Sequence, residues 1–382
     1  MREIPFGRPM VGKEEKNILM NVLNGHVFVH GPLLKDFESS FSKFTKAPYA
    51  VALSSCTAAL HLTYFYLGIT QNDEVIIPAQ THTATAHAVE YCGGKAVFVD
   101  SEMRTGNIDI DQIEAKITEN TRAISVVPFL GMPLNMDRVN EISRKHNLFV
   151  VEDAALALGT YYKGVHAGLH GDVGCFSFYP VKHITTAEGG MLITKDEKIA
   201  STIQRTRAFG YDRHIGERNQ PVYDVNILGF NYRMNELQAA IGIEQLKKLD
   251  EILRKRESNY NSLSDGLRSI DEIKQFESSH DEYQSSYYCL SIILNDKLAP
   301  HRLELISLLK EKGVGTSIYY PKPVPLLNYY QLKYGHRVHE FPIASVISDQ
   351  SIALPVGPHL DEEDISYIVI ALKDSISAIG RI

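Results

Sequence analysis

Cysteine is scarce in this chain, and the few present do not cluster. Cys56, Cys92, Cys175 and Cys289 form no CxxC pair. That excludes a disulfide framework and a zinc ribbon. They read as reduced, mostly buried thiols of a cytoplasmic protein. Excess positive charge is also missing. The formal net charge is −7 and the isoelectric point is near 6.1. This excludes nucleic-acid binding driven by overall charge. An anionic small substrate stays open, because a local basic pocket suffices for it. No apolar run is long enough to span a bilayer. The first eight residues lack the apolar core of a signal peptide. Neither a membrane nor a nucleic acid is therefore an expected partner. No GxGxxG follows the first apolar run and no GxxxxGK[ST] loop occurs, which disfavours dinucleotide and P-loop folds. His61, His82 and His87 fit no compact metal spacing, so no metal is expected.

The 382 residues are 44% hydrophobic, enough for a large core and for two domains. Short apolar runs at 49–53, 74–78, 95–100, 122–127 and 148–153 read as strands. Helical patterns at 84–91 and 136–146 alternate with them. That alternation predicts an α/β fold with a large, mostly parallel sheet covered on both faces. A helical pattern over 237–267 reads as one connecting helix. We place a large domain at 1–250 and a smaller α+β domain at 251–382. In the latter, 288–294 and 314–320 read as strands, and 302–312 and 362–379 as helices.

In open parallel sheets, ligands collect beyond the carboxyl ends of the strands. Two features map there. Ser54-Ser55-Cys56-Thr57 joins a strand to a helix. Free N–H groups and the helix dipole at such a turn suit a phosphate, although an ordinary Ser/Thr cap is the more frequent meaning. Asp153 ends an apolar run, where it can pair with a cationic ring nitrogen or cap the next helix. A third feature is Lys182, in a polar loop between Cys175-Phe176-Ser177-Phe178 and Met191-Leu192-Ile193-Thr194, closed by Glu188-Gly189-Gly190. Lysines are mostly exposed, but this loop is an unusual place for a solvated one. A carbonyl-trapping lysine and a carboxylate from neighbouring strand ends suit pyridoxal 5'-phosphate (PLP). His82 either stacks on a planar cofactor or starts a helix.

Several segments, in order, resemble the DegT/StrS family of PLP-dependent sugar aminotransferases. They are 54–60, 73–78, Phe98-Val99-Asp100, Val151-Glu152-Asp153-Ala154-Ala155, Phe176-Ser177-Phe178 with Lys182 and Glu188-Gly189-Gly190, and Gly229-Phe230-Asn231-Tyr232-Arg233-Met234. The resemblance implies the fold type I architecture with a seven-stranded sheet. It also implies a homodimer with active sites at the subunit interface. Carried over by position, Lys182 binds the cofactor carbonyl and shuttles the proton, and Asp153 holds the pyridine nitrogen. Cys56, Thr57 and Ser177 serve the phosphate, His82 stacks on the ring, and Asn231 reaches the phosphate from the partner subunit. Tyr320 falls at a substrate-side position, or is a core residue of the small domain. Three departures stand out: Cys56 where relatives have Gly, His82 where they have a larger aromatic, and Leu156 where they have a polar residue.

Sugar dehydratases of this family carry histidine in place of the lysine. Here Lys182 precedes His183, which favours amino transfer. The resemblance implies L-glutamate as donor and a nucleotide-linked keto sugar as acceptor. The Glu-Gly-Gly form resembles relatives that aminate C4 of 4-keto-6-deoxy sugars for O-antigen, glycan or antibiotic biosynthesis. A dehydratase or lyase, a C3 aminotransferase and a non-catalytic PLP-binding regulator are the alternatives.

Overall fold

Period-two burial organises the central sheet. On the first strand, Val51 and Leu53 enter one apolar cluster while Ala50 and Ala52 enter another. On the second, Val75 and Ile77 face one way and Ile76 the other. Strands buried on both faces must be covered on both faces. The computed structural model describes residues 2–212 and 222–380.

The chain runs α1 (Lys13–Leu23), α2 (Pro32–Thr45), β1 (Tyr49–Leu53), α3 (Cys56–Tyr66), β2 (Glu74–Pro78), α4 (Thr83–Tyr91) and β3 (Lys95–Val99). It continues through β4 (Thr121–Val126), α5 (Met136–His146), β5 (Phe149–Asp153), β6 (Tyr161–Tyr162), β7 (Val165–His166), β8 (Val173–Ser177), β9 (Gly190–Thr194) and α6 (Glu197–Thr206). After it come α7 (Glu236–Lys247), α8 (Leu249–Leu267), β10 (Ile273–Gln275), β11 (Tyr283–Gln284), β12 (Leu290–Leu294) and α9 (Arg302–Glu311). The last elements are α10 (Asn328–Tyr334), α11 (Pro342–Gln350), β13 (Ser351–Leu354) and α12 (Glu362–Ile379).

Seven strands form the large sheet in the order β1-β9-β8-β5-β4-β2-β3. Only β9 runs against its neighbours, β8 and β1. The α/β fold and the seven-stranded, mostly parallel sheet are as the sequence leads one to expect. One face carries α3, α4 and α6, and the other carries α2, α5 and α7. Helix α5 shows the local logic. Met136, Val139, Ile142 and Ser143 form its buried stripe, Asn135 caps the start, and Asn147 closes the end in the left-handed region.

A second sheet, β10-β12-β13, is antiparallel throughout. It packs with α8, α9 and α12 around Leu263, Leu290, Ile292, Leu305 and Ile368. Ile4 joins this cluster and bridges Val314, so the amino terminus packs with the carboxyl-terminal part. Among the described residues, no helix is long and apolar enough to cross a membrane.

Two sequence expectations need correction. The helix expected over 237–267 is two helices, α7 and α8. The Lys248 N–H turns back to the Gln245 carbonyl at 3.1 Å, an i−3 bond that ends the first helix. Its ammonium is drawn to the buried carboxylate of Glu15 on α1, 2.7 Å away. The strand expected over 314–320 is an extended crossing with single bridges at Val314 and Ser317. Pro321 and Pro323 follow, and neither can donate to a ladder.

Glu236, the first residue of α7, joins distant parts of the large sheet layer. Its buried carboxylate accepts the N–H groups of Gly31 (3.1 Å), Leu33 (2.9 Å) and Leu34 (3.3 Å) at the start of α2. Helix starts leave such donors without intrahelical partners. We expect Glu236→Ala to cost about 1–3 kcal/mol, read as a lower thermal unfolding midpoint. An unchanged midpoint would show that the cap is dispensable.

Candidate active site

The loops that follow β1, β2, β5 and β8 meet at one end of the sheet, where the parallel strands finish. Asp153 closes β5 and is 4% exposed. One carboxylate oxygen accepts the Thr85 hydroxyl at 2.7 Å. The other accepts the Ala155 N–H at 3.3 Å and lies 3.8 Å from the Cys56 sulfur. Thr85 is itself paired with Thr81 at 2.7 Å. These bonds fix the carboxylate's direction. The self-capping Ala155 contact and the inward-facing placement coexist.

Lys182 sits in the excursion between β8 and β9. That loop is pinned on Phe178. Its carbonyl accepts the Thr186 N–H and the Thr185 hydroxyl, both at 3.0 Å, and its N–H reaches the Gly189 carbonyl at 3.0 Å. The two glycines are required by crowding. A side chain at Gly190 would collide with the Ser55–Cys56 peptide, and one at Gly189 with Thr186 and Met234. The loop can therefore press against the start of α3.

Burial pushes the Lys182 amine down from the ordinary lysine value to about 8. Cys56, Asp153 and Cys289 oppose that shift only in part. The amine lies 5.2 Å from the centre of the Tyr288 ring. His183 points elsewhere: its Nε2 is 3.0 Å from the Ser286 carbonyl and its ring is buried.

Cys56 and Thr57 open α3, where first-turn N–H groups lack intrahelical acceptors. Ser55 caps that helix through its hydroxyl and the Ala58 N–H at 3.0 Å, so the ordinary capping role is filled there. Ser177 ends β8, and its hydroxyl accepts the Tyr179 N–H at 3.4 Å. His82 caps α4, with Nδ1 accepting the Ala84 N–H at 3.1 Å. Its ring stands edge-on to Tyr320 at 5.8 Å. Tyr320 and Tyr319 pack with Leu156, Tyr288 and Cys289. Asn231 is exposed and bridges Ala208. Its neighbour Tyr232 accepts the Ser54 N–H at 2.8 Å, so this segment flanks the Ser54 turn.

Lys182, Cys56, Asp153, His82 and Tyr320 thus share one electrostatic neighbourhood. Thr57 starts α3 after β1 and Ser177 ends β8, two strands separated by β9, while Asn231 is exposed. Sequence reasoning missed Thr85 and Tyr288. Thr85 lies in the first turn of α4 and Thr81 just before the His82 cap, so only the fold brings their hydroxyls together. Tyr288 carries no signal in the sequence either. His61 and His87 are engaged separately, by the Tyr232 hydroxyl at 3.0 Å and the Tyr330 hydroxyl at 2.6 Å. Among the described residues, no group of three or more His, Cys, Asp or Glu could hold a metal.

The DegT/DnrJ/EryC1/StrS aminotransferase family matches residues 9–373. The chain belongs to this family. The GDP-perosamine synthase of Escherichia coli O157:H7 is 34% identical, covering 99% of this chain and 100% of that protein. Spr1654 of Streptococcus pneumoniae, in its PLP form, superposes with a TM-score of 0.93 at 28% identity, over 99% of this chain and 100% of its own. PseC of Helicobacter pylori, an aminotransferase involved in pseudoaminic acid biosynthesis, has a TM-score of 0.92 at 26% identity over 99% and 100% of the two chains. A DegT-family sugar aminotransferase needs a reactive amine in its cleft.

The depressed value at Lys182 sets a pH dependence for that amine. It is protonated and unreactive below about 8, and neutral above it. Competitive labelling of the cofactor-free protein with acetic anhydride, read by peptide mass spectrometry, should give a Lys182 midpoint near 8. A midpoint at the ordinary lysine value of about 10.4 would contradict the burial described here.

Proposed function

We propose that this protein transfers the amino group of L-glutamate to a keto sugar carried on a nucleotide, using PLP. The observation that carries the proposal is Lys182, a half-buried amine with a lowered pKa, facing a buried and oriented Asp153.

The residues present suit that cofactor. Asp153 meets no lysine or arginine in an ion pair among the described residues. It is free to hold a protonated pyridine nitrogen. The open N–H groups at Cys56 and Thr57, with the Ser177 hydroxyl, suit the phosphate. His82 supplies a planar ring at the mouth. Asn231, exposed here, suits a role in the partner's site within a homodimer. When bound, PLP supplies an electron sink for the substrate carbon.

The chain's own residues do the rest. Lys182 would hold the cofactor's carbonyl carbon and would move a proton at the substrate carbon. Its lowered pKa lets it accept and give up that proton near neutral pH. Asp153 would hold the ring nitrogen in its charged form. Thr85 keeps Asp153 aimed. His183, turned toward Ser286, does not replace the lysine, which favours amino transfer over dehydration.

For the acceptor, we infer a 4-keto-6-deoxy sugar aminated at C4, as part of amino-sugar biosynthesis. The Glu188-Gly189-Gly190 form supports that position. The likeness to a GDP-perosamine synthase supports a GDP-linked amino sugar among the products to be tried first.

The deciding experiment offers 3-keto and 4-keto sugar nucleotides with glutamate and reads product mass and regiochemistry. An amino sugar at C4, with 2-oxoglutarate released, is the expected result. Glutamate converted to 2-oxoglutarate with only pyridoxamine phosphate accumulating would sink the reading. Lys182→Ala should abolish the visible absorption of lysine-bound cofactor and lower turnover by at least about 100-fold. Retention of that absorption would move the assignment to another lysine.

A further inference from the structure

Behind the amine of Lys182 stands a tyrosine that sequence reasoning did not single out. Tyr288 is 3% exposed and precedes β12. Its ring takes Lys182 Nζ at 5.2 Å from the centroid, within cation–π range. The ring is held from every side. The Tyr288 hydroxyl is 2.8 Å from the Tyr319 hydroxyl, and the two rings meet edge-on at 5.5 Å. The Tyr288 carbonyl accepts Arg256 from α8 at 2.8 Å. The Arg256 guanidinium carbon stands 5.9 Å from the same ring. His183 lies against it at 5.7 Å.

Arg256 is itself unusual. It is 6% exposed, and its Nε finds no hydrogen-bond partner. A buried guanidinium is costly, and among the described residues its hydrogen bond goes to the Tyr288 backbone. Leu156 and Cys289 fill the space beside the ring. The hydroxyl pair of Tyr288 and Tyr319 therefore lies in the cluster around Leu156.

We propose that Tyr288 is a positioning residue for Lys182, its clamped ring holding the amine in place whenever the amine is not bonded to the cofactor. The need is mechanical. An amine released in each half-reaction must stay within reach of the reacting carbon and must not settle on the Asp153 carboxylate. Effective placement of this kind is worth large factors in rate. The groups facing Lys182 are Cys56 on α3, Asp153 on β5, His82 at the start of α4, and Tyr288 and Cys289 before β12. His183, the next residue, feels its charge while its ring turns to the Ser286 carbonyl. Of these, Tyr288 offers a ring face at cation–π distance.

The proposal rests on Lys182 being the cofactor-binding lysine, so the test separates the two. Cofactor-free full-length protein is mixed with PLP, and covalent attachment is followed by visible absorbance across pH. Attachment forms one C=N bond and releases one water. Wild type that attaches PLP, with Lys182→Ala that does not, upholds the lysine assignment independently of Tyr288. Tyr288→Met should then slow attachment about 3-fold on the high-pH plateau, where the amine is neutral and the ring places it by contact and N–H···π attraction alone. It should also lower the Lys182 acetylation midpoint by about 0.5–1 pH unit, because an ammonium loses its ring. Tyr288→Phe, which keeps the ring, should restore most of both. If Tyr288→Met does not fold, Tyr319→Phe decides, since it frees the Tyr288 hydroxyl and should slow the plateau about 2-fold. Plateau rates and midpoints equal to wild type in the folded variants would overturn the proposal.

Discussion

The close approach of Gly190 to the Ser55–Cys56 peptide is the contact on which the site depends. β9 runs against β8 and lies between it and β1. The excursion between β8 and β9 thus begins and ends at the edge of the sheet where the parallel strands finish. Two glycines let its closing turn press on the start of α3. With bulkier residues the turn would lift, and Lys182 would move away from Asp153 and from the helix start together. One steric condition aligns the lysine loop, the helix amides and the carboxylate.

Electrostatics then follow from depth. Lys182 is held where water is scarce, and its amine loses protons more readily than a surface lysine does. Asp153 lies deeper, yet its oxygens are engaged by Thr85, Ala155 and the Cys56 thiol. Those contacts fix where the carboxylate points. One fold thus holds a readily neutralised amine and a steadied carboxylate in one cleft. Cys56 adds its sulfur to the surroundings of Asp153 without closing the helix start.

Much of this was readable along the chain. The strands over 49–53, 74–78 and 149–153 and the helix over 136–146 follow from local apolar period and from caps such as Asn135 and Asn147. The break at Lys248 was not readable, because the apolar stripe continues through it while Glu15, far away in sequence, draws the ammonium aside. The segment from Val314 to Tyr320 looked like a strand by composition. It lacks one because its one neighbour on the sheet, Ala353, pairs with Ser317 alone.

By itself the sequence determined the alternation of elements, the strand-end placement of Asp153, the loop placement of Lys182, and the family. Those properties are local or ordered along the chain, so residue order carries them. Tertiary structure alone decided that Thr85 orients Asp153, that Glu236 caps α2, that His183 turns away to Ser286, and that Tyr288 stands behind the Lys182 amine. Each of these joins side chains from separate elements. Their pairing depends on strand order, on the antiparallel insertion of β9 and on the packing of α8 beside the site, none of which a linear pattern encodes.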